Sequence, residues 1–169
     1  MRAHYLPLAA ITLSVLSACG SSEPPPPADA KPDVEASASP PSKPRATACD
    51  LVTGAEMSAI LGGKVVPKNN DHSNGKTECV YTAAEGVSPY AQLSVEWGSG
   101  QDAMVAAGMM NKREPGIADP YEGVGDQAVS IGTTLMIRSG EDLITLVFSG
   151  VDDLPGKARR IYDTVKARM

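Results

Sequence analysis

Hydrophobic and polar residues alternate in several short stretches of this chain, which is the two-residue period of a half-buried β-strand. In residues 90–97 the apolar positions are Ala91, Leu93, Val95 and Trp97. Comparable patterns predict further strands over residues 64–67, 77–83, 127–131, 135–139 and 143–149. Proline cannot donate to a central ladder, so Pro67 predicts that the first strand lies at a sheet edge.

Three other stretches carry apolar residues at helical spacing with capping signals at their starts. Thr53 and Glu56 form a capping box, flanked by Val52 and Met57 as a hydrophobic staple, and Gly62-Gly63 ends this short helix. Ser99 caps a second helix that runs through Lys112. Its apolar side is predicted to contain Met104, Val105, Gly108 and Met109.

The third predicted helix follows the last predicted strand. Asp152 or Asp153 caps it, and Pro155 lies near its first turn. Its predicted buried stripe is Ala158, Ile161, Tyr162, Val165 and Met169. Residues 49–169 therefore form one α+β domain, an antiparallel sheet of about six strands in an α-βββ-α-βββ-α order with helices packed on it. The repeated order suggests a loose internal duplication.

The N-terminal segment has the pattern of an export signal. Arg2 is followed by a short apolar run that ends in small residues. Leu16-Ser17-Ala18-Cys19 resembles the lipobox of bacterial lipoproteins. The resemblance implies that residues 1–18 are removed as a signal peptide and that Cys19 is diacylated and anchors the protein in a membrane. An ordinary secretory signal with an incidental cysteine is the alternative.

Residues 19–48 are rich in proline and poor in bulky apolar residues, with eight prolines between positions 24 and 44. Such a segment cannot bury a core, so we predict a disordered, partly polyproline II tether. A proline-rich ligand for a partner groove is the alternative.

The three cysteines become one lipidated residue and one pair if Cys19 is the anchor. In an oxidising compartment, Cys49 and Cys79 most simply form a disulfide. A metal site would need more ligands, since His72 is the only histidine after cleavage. Residues 49–169 contain 11 basic and 16 acidic residues, which argues against nucleic acid as a partner.

Several motifs resemble catalytic or binding signatures only by their letters. Residues 123–128 match G-x-G-x-x-A, but a loop precedes them and a strand is predicted to follow. The S-x-x-K match at residues 73–76 contains Asn-Gly, which breaks the helix that this motif needs. The acidic pairs at 141–142 and 152–153 are expected in turns and caps. We therefore predict no enzyme activity, no cofactor and no metal.

Methionines are the most ambiguous side chains. Met104, Met109, Met110 and Met136 suit either Cu(I) binding, an adaptable apolar pocket or core filling, and core filling is favoured because the chain has one Phe and one Trp.

Taken together, Cys49-Asp50-Leu51-Val52-Thr53, Leu61-Gly62-Gly63, Cys79-Val80-Tyr81 and residues 123–128 resemble a family of bacterial lipoproteins of unknown function that is common in actinobacteria. Members of this family open with Cys-Asp-Leu-Leu-Thr, and Val52 takes the place of the second leucine. The resemblance implies a lipid-anchored extracytoplasmic domain at the cell membrane or outer membrane, periplasmic if the cell has two membranes. We interpret it as a noncatalytic domain that binds a small apolar ligand or an envelope protein. The resemblance identifies no ligand-binding residues. An enzyme acting on envelope material and a purely structural accessory lipoprotein are the alternatives.

Overall fold

The computed structural model of the chain describes residues 45–72 and 74–169. The predicted signal peptide, the predicted lipidation site Cys19, most of the predicted tether and Ser73 lie outside the described residues. The described part contains four helices and one seven-stranded sheet.

The strands are antiparallel throughout, and their order across the sheet is β1-β2-β3-β7-β6-β5-β4. Their bounds are β1 Val65–Asn69, β2 Lys76–Ala83, β3 Tyr90–Glu96, β4 Asp119–Pro120, β5 Gln127–Ile131, β6 Thr134–Ser139 and β7 Asp142–Ser149. Two meanders thus meet at β3 and β7, where Leu93 is opposite Leu146. Pro67 does lie in an edge strand, as predicted, since β1 pairs only with β2.

The helices are α1 Ala48–Leu51, α2 Gly54–Leu61, α3 Gly100–Arg113 and α4 Leu154–Lys166. The Thr53 and Glu56 capping box forms at the start of α2, and Gly62 ends that helix with φ 80°. Asp153 caps α4 by accepting a hydrogen bond from Gly156. The local signals therefore predicted both ends of α2 and the start of α4.

The main core lies between one face of the sheet, here the inner face, and the helices α1, α2 and α4. Alternate strand residues such as Tyr81, Leu93, Ile137 and Leu146 are at most 1% exposed in this core. The α4 stripe predicted from helical spacing is buried at Ala158, Ile161, Tyr162 and Val165, whereas Met169 is 43% exposed. Alternation in the strands and the stripe of α4 together account for most of the core.

Helix α3 packs on the outer face of the sheet, against β5, β6 and β7. Its first residue, Gly100, donates a backbone hydrogen bond to the Glu141 carbonyl at 2.8 Å. A Cβ at Gly100 would lie 2.5 Å from the Asp142 carbonyl oxygen and 2.9 Å from Cγ of Arg138. Successive strand residues face opposite sides of a sheet, and Ile137 lies in the main core, so its neighbour Arg138 lies on the outer face together with α3. Over β5–β7 the fold therefore has three layers: inner helices, sheet and α3.

The predicted class is confirmed, but two elements of the predicted order are incomplete. The sheet has seven strands and not about six, because two residues of the predicted connecting loop, Asp119 and Pro120, pair with β5. A fourth helix, α1, precedes the predicted first helix. The two halves of the predicted duplication share the order of a helix followed by strands, but their helices lie on opposite faces of the sheet. Helix α2 lies on the inner face and α3 on the outer face.

Candidate functional site

The predicted disulfide between Cys49 and Cys79 is present, and it joins α1 to the inner face of β2. Two hydrogen bonds reinforce this junction. The amide of Ala48 donates to Oγ1 of Thr77 at 2.7 Å, and the Tyr81 hydroxyl donates to the Val52 carbonyl. Burial raises the pKa of Tyr81 above its ordinary value, so the hydroxyl stays a neutral donor. This arrangement is structural, because both sulfur atoms are bonded to each other and Cys79 is fully buried.

The residues that resemble catalytic or binding motifs only by their letters lie in turns and near helix starts. The two glycines Gly123 and Gly125 have positive φ in the bend before β5, and a strand follows them. Asp142 accepts a hydrogen bond from Gly98 at 2.9 Å. Asp152 forms an ion pair with Lys157. Asp142 thus joins the start of β7 to the turn before α3, and Asp152 forms its ion pair at the start of α4.

A polar cluster surrounds Glu78 on the outer face of β2, beyond the area that α3 covers. The Glu78 carboxylate is 6% exposed and accepts hydrogen bonds from Asn70 at 2.7 Å and Gln92 at 2.9 Å. Lys76 lies 3.2 Å and His72 3.6 Å from the same carboxylate. Burial acts to raise the pKa of Glu78, but the hydrogen bonds from Asn70 and Lys76 outweigh it and lower the pKa. The group is therefore held as an anion and is a weak base.

Two open clefts lie beside the N-terminal end of α4. The larger has a volume of about 390 Å³ and includes Tyr121, Glu122 and Arg159 in its wall. The Tyr121 hydroxyl is buried and has no hydrogen-bond partner among the described residues, and burial raises its pKa. A second cleft of about 290 Å³ lies beside Phe148 and Leu154. Trp97 borders a different, smaller cleft of about 140 Å³, whose wall also includes Arg45. The Arg45 guanidinium lies 5.1 Å from the centroid of the Trp97 ring.

Helix α3 presents an apolar surface to solvent, which corrects the predicted orientation of this helix. Val105 is 45%, Met109 57% and Met110 42% exposed, whereas Met104 is 5% and Ala107 2% exposed. The buried side therefore runs through Gly100, Met104 and Ala107, not through Val105 and Met109. Core filling thus applies to Met104 alone among the methionines of this helix.

The physical reason for the different orientation is the start of the helix. Gly100 sits against the backbone of β7 so closely that no side chain fits there, and residues three to four positions apart on a helix lie on the same side. This contact fixes Met104 and Ala107 toward the sheet. The only signal in the sequence was the glycine itself, since nearly every position from 103 to 110 is apolar and defines no single face.

The exposed residues form a continuous strip, which we name the α3 strip and define as Asp102, Val105, Ala106, Met109, Met110 and Arg113. All six are exposed. Their spacing of three and four residues places them along one side of the helix. Asp102 gives the strip an acidic N-terminal end, and Arg113 gives it a basic C-terminal end. The middle is apolar, with two small side chains followed by two methionines.

Isolated apolar side chains on a surface are normal, whereas a contiguous apolar patch often marks an interaction site. Methionine is flexible and polarisable, and it is common at surfaces that adapt to a partner. The α3 strip is therefore the best candidate for a recognition surface in the part of the chain that the structure describes.

No protein family, no curated protein and no solved structure matches the chain. Within residues 45–72 and 74–169, no helix combines the length and apolar character that membrane crossing requires. The same residues contain no cluster of three or more His, Cys, Asp or Glu side chains suited to a metal ion.

Proposed function

We propose that this protein is a lipid-anchored, noncatalytic lipoprotein of the cell envelope whose folded domain binds a protein partner through the α3 strip. The observation that supports the proposal is the exposure of Val105, Met109 and Met110 on a helix whose opposite side is already fully used in packing. The partner is expected to present an apolar helical segment with a basic and an acidic end.

The charges of the strip favour a protein over a lipid surface. A membrane-binding helix typically carries Lys and Arg along its polar side. Here an acidic residue, Asp102, lies on the exposed side at one end, and Arg113 lies at the other. Opposite charges at the two ends of an apolar strip match a complementary helix in one orientation, as charged positions do in coiled coils.

The position of the domain relative to the membrane rests on the predicted anchor at Cys19. Arg45 is the first described residue, and its guanidinium lies over the ring of Trp97. Helix α3 begins three positions after Trp97. The predicted tether therefore enters the domain next to the N-terminal end of α3. A partner in the same membrane or envelope layer is within the reach of a tether of this length, up to about 3.1 Å per residue.

Site-specific photo-cross-linking in the full, lipidated chain tests the docking proposal. A photoreactive residue replaces Met109, and the matched control replaces Val87, which is 95% exposed on the loop between β2 and β3. We expect discrete protein adducts from position 109 and none from position 87. Adducts with phospholipid alone, or equal adducts from both positions, would refute the proposal.

The anchor is tested separately by Cys19→Ser. We expect loss of metabolic fatty-acid labelling and release of the exported protein from the membrane fraction. A Cys19→Ser protein that remains tightly bound to membranes would show that the anchor assignment is wrong.

A further inference from the structure

We infer that the partner of the α3 strip is a second copy of this chain, and that two α3 helices pair antiparallel about a two-fold axis. This inference rests on the proposed docking function and names its partner. It depends on two properties of the strip, the order of its side-chain sizes and the order of its charges, both of which are self-complementary under a two-fold rotation.

Side-chain size is the first argument. When two copies of α3 pair antiparallel with the midpoints of their α3 strips opposite each other, Ala106 of one copy faces Met109 of the other. Val105 then faces Met110 in the same way. Each large, flexible methionine meets a smaller side chain, which permits the interdigitation that helix packing needs at axis distances of 8–10 Å. A parallel pair would place methionine against methionine and alanine against alanine.

Charge order is the second argument. The same alignment that pairs Ala106 with Met109 places Asp102 opposite Arg113. The two-fold axis creates this pair twice, once at each end of the interface. The two residues are separated by roughly 16 Å along one helix, so both pairs lie outside the apolar middle. A parallel pair would bring the two aspartates together and the two arginines together, which is repulsive.

The size of the surface sets the expected strength of the pair. A helix of 14 residues offers a face about 21 Å long and about 10 Å wide, which is less than the roughly 800 Å² per partner of a standard stable interface. The isolated domain is therefore expected to be mostly monomeric in dilute solution. Copies anchored in one membrane are confined near each other, and such confinement strengthens weak contacts as it does for linked binding modules.

Cysteine cross-linking in the full, lipidated chain tests the geometry. One tagged copy carries A106C and a differently tagged copy carries M109C, and both are expressed together and oxidised mildly. Cys49 and Cys79 are joined to each other and Cys19 is assigned to lipid, so the introduced thiols react alone. We expect the yield of the mixed A106C–M109C disulfide to exceed the share that random pairing of the two copies gives, which is already twice that of either same-site disulfide. The control pair carries V87C in both copies and is expected to remain unlinked.

Charge exchange tests the same interface without new thiols in its middle. Asp102→Arg and Arg113→Asp are each expected to reduce photo-cross-linking between copies through position 109 by roughly tenfold at low salt, because each introduces two like-charge contacts. Co-expression of the D102R copy with the R113D copy restores two opposite-charge contacts, so the yield is expected to recover. Circular dichroism of each variant checks that α3 is intact.

The outcomes separate this inference from the proposed function. The preferred mixed disulfide together with recovery by charge exchange supports the antiparallel dimer. Same-site disulfides at or above their share from random pairing overturn the antiparallel arrangement. Adducts from position 109 that contain only another protein overturn the dimer and leave the docking function standing. Adducts that contain only phospholipid, or none, overturn both.

Discussion

The Cys49–Cys79 disulfide gives a prediction whose size follows from the position of the bond. It joins residues that are 30 positions apart. The chain-entropy treatment of a loop of that length gives a stabilisation of between about 3 and 4 kcal/mol at 25 °C. A domain of this size is typically stable by roughly 6 to 18 kcal/mol. Reduction should therefore weaken the fold substantially without abolishing it, since the Thr77 and Tyr81 hydrogen bonds to the α1 region remain.

The assay is thermal unfolding of the purified domain by circular dichroism, with and without a reductant. We expect the reduced protein to melt roughly 12 to 15 °C lower. The C49A/C79A variant is the control, since its melting temperature should not respond to the reductant. The single variant Cys79→Ala should melt lower as well, with an added cost because Cys79 is fully buried. An unchanged melting temperature for Cys79→Ala would refute a structural role for this bond.

Three further predictions concern other parts of the fold. Hydrogen bonds from Arg168 first, and then Thr53, lower the pKa of Glu56 to about 2. Its contribution to stability is thus present above about pH 4.5 and lost as the pH falls toward 2, and Arg168→Ala should flatten the acid limb of the unfolding free energy between those values. The pKa of Tyr81 is raised, so the pH dependence of its contribution to stability is reversed. That contribution should be lost as the pH rises above about 10, which alkaline unfolding followed by tyrosinate absorbance at 295 nm measures. Gly100→Ala should cost about 1–3 kcal/mol by overpacking, whereas Gly108→Ala, in the same helix with open space around its Cβ, should raise stability by up to about 1 kcal/mol in chemical denaturation.

Local patterns predicted the elements that carry strong local signals. The strands β3, β5 and β7 were predicted within a residue of each end, because alternation depends only on which positions face the core. The short strand β4 had no such signal. Asp119 and Pro120 are both exposed, and they are extended because β5 is beside them. Tertiary pairing and not local preference determines such a segment.

Helix α1 and the orientation of α3 were missed for related reasons. Four residues are too few to show a period, although Thr47 and Asp50 form a capping box there. In α3, apolar residues surround the helix, so hydrophobicity selected Val105 and Met109 over the smaller Ala107. The deciding contact is the close approach of Gly100 to β7, between residues about forty positions apart. The location of the candidate site could therefore not be predicted from spacing alone.

The two halves of the outer sheet face are covered in different ways, which supports the proposed docking role of the α3 strip. Helix α3 covers β5–β7, and the uncovered half carries a polar cluster in which Glu78 is satisfied by Asn70 and Gln92. One half is thus covered by a packed helix, and in the other half the Glu78 carboxylate is satisfied by hydrogen bonds. Nothing in the fold requires apolar residues on the far side of α3, since Met104 and Ala107 already fasten the helix. Val105 and Met109 expose apolar surface to water. Burial of that surface against another helix would stabilise the pair by roughly 25 cal/mol per Å².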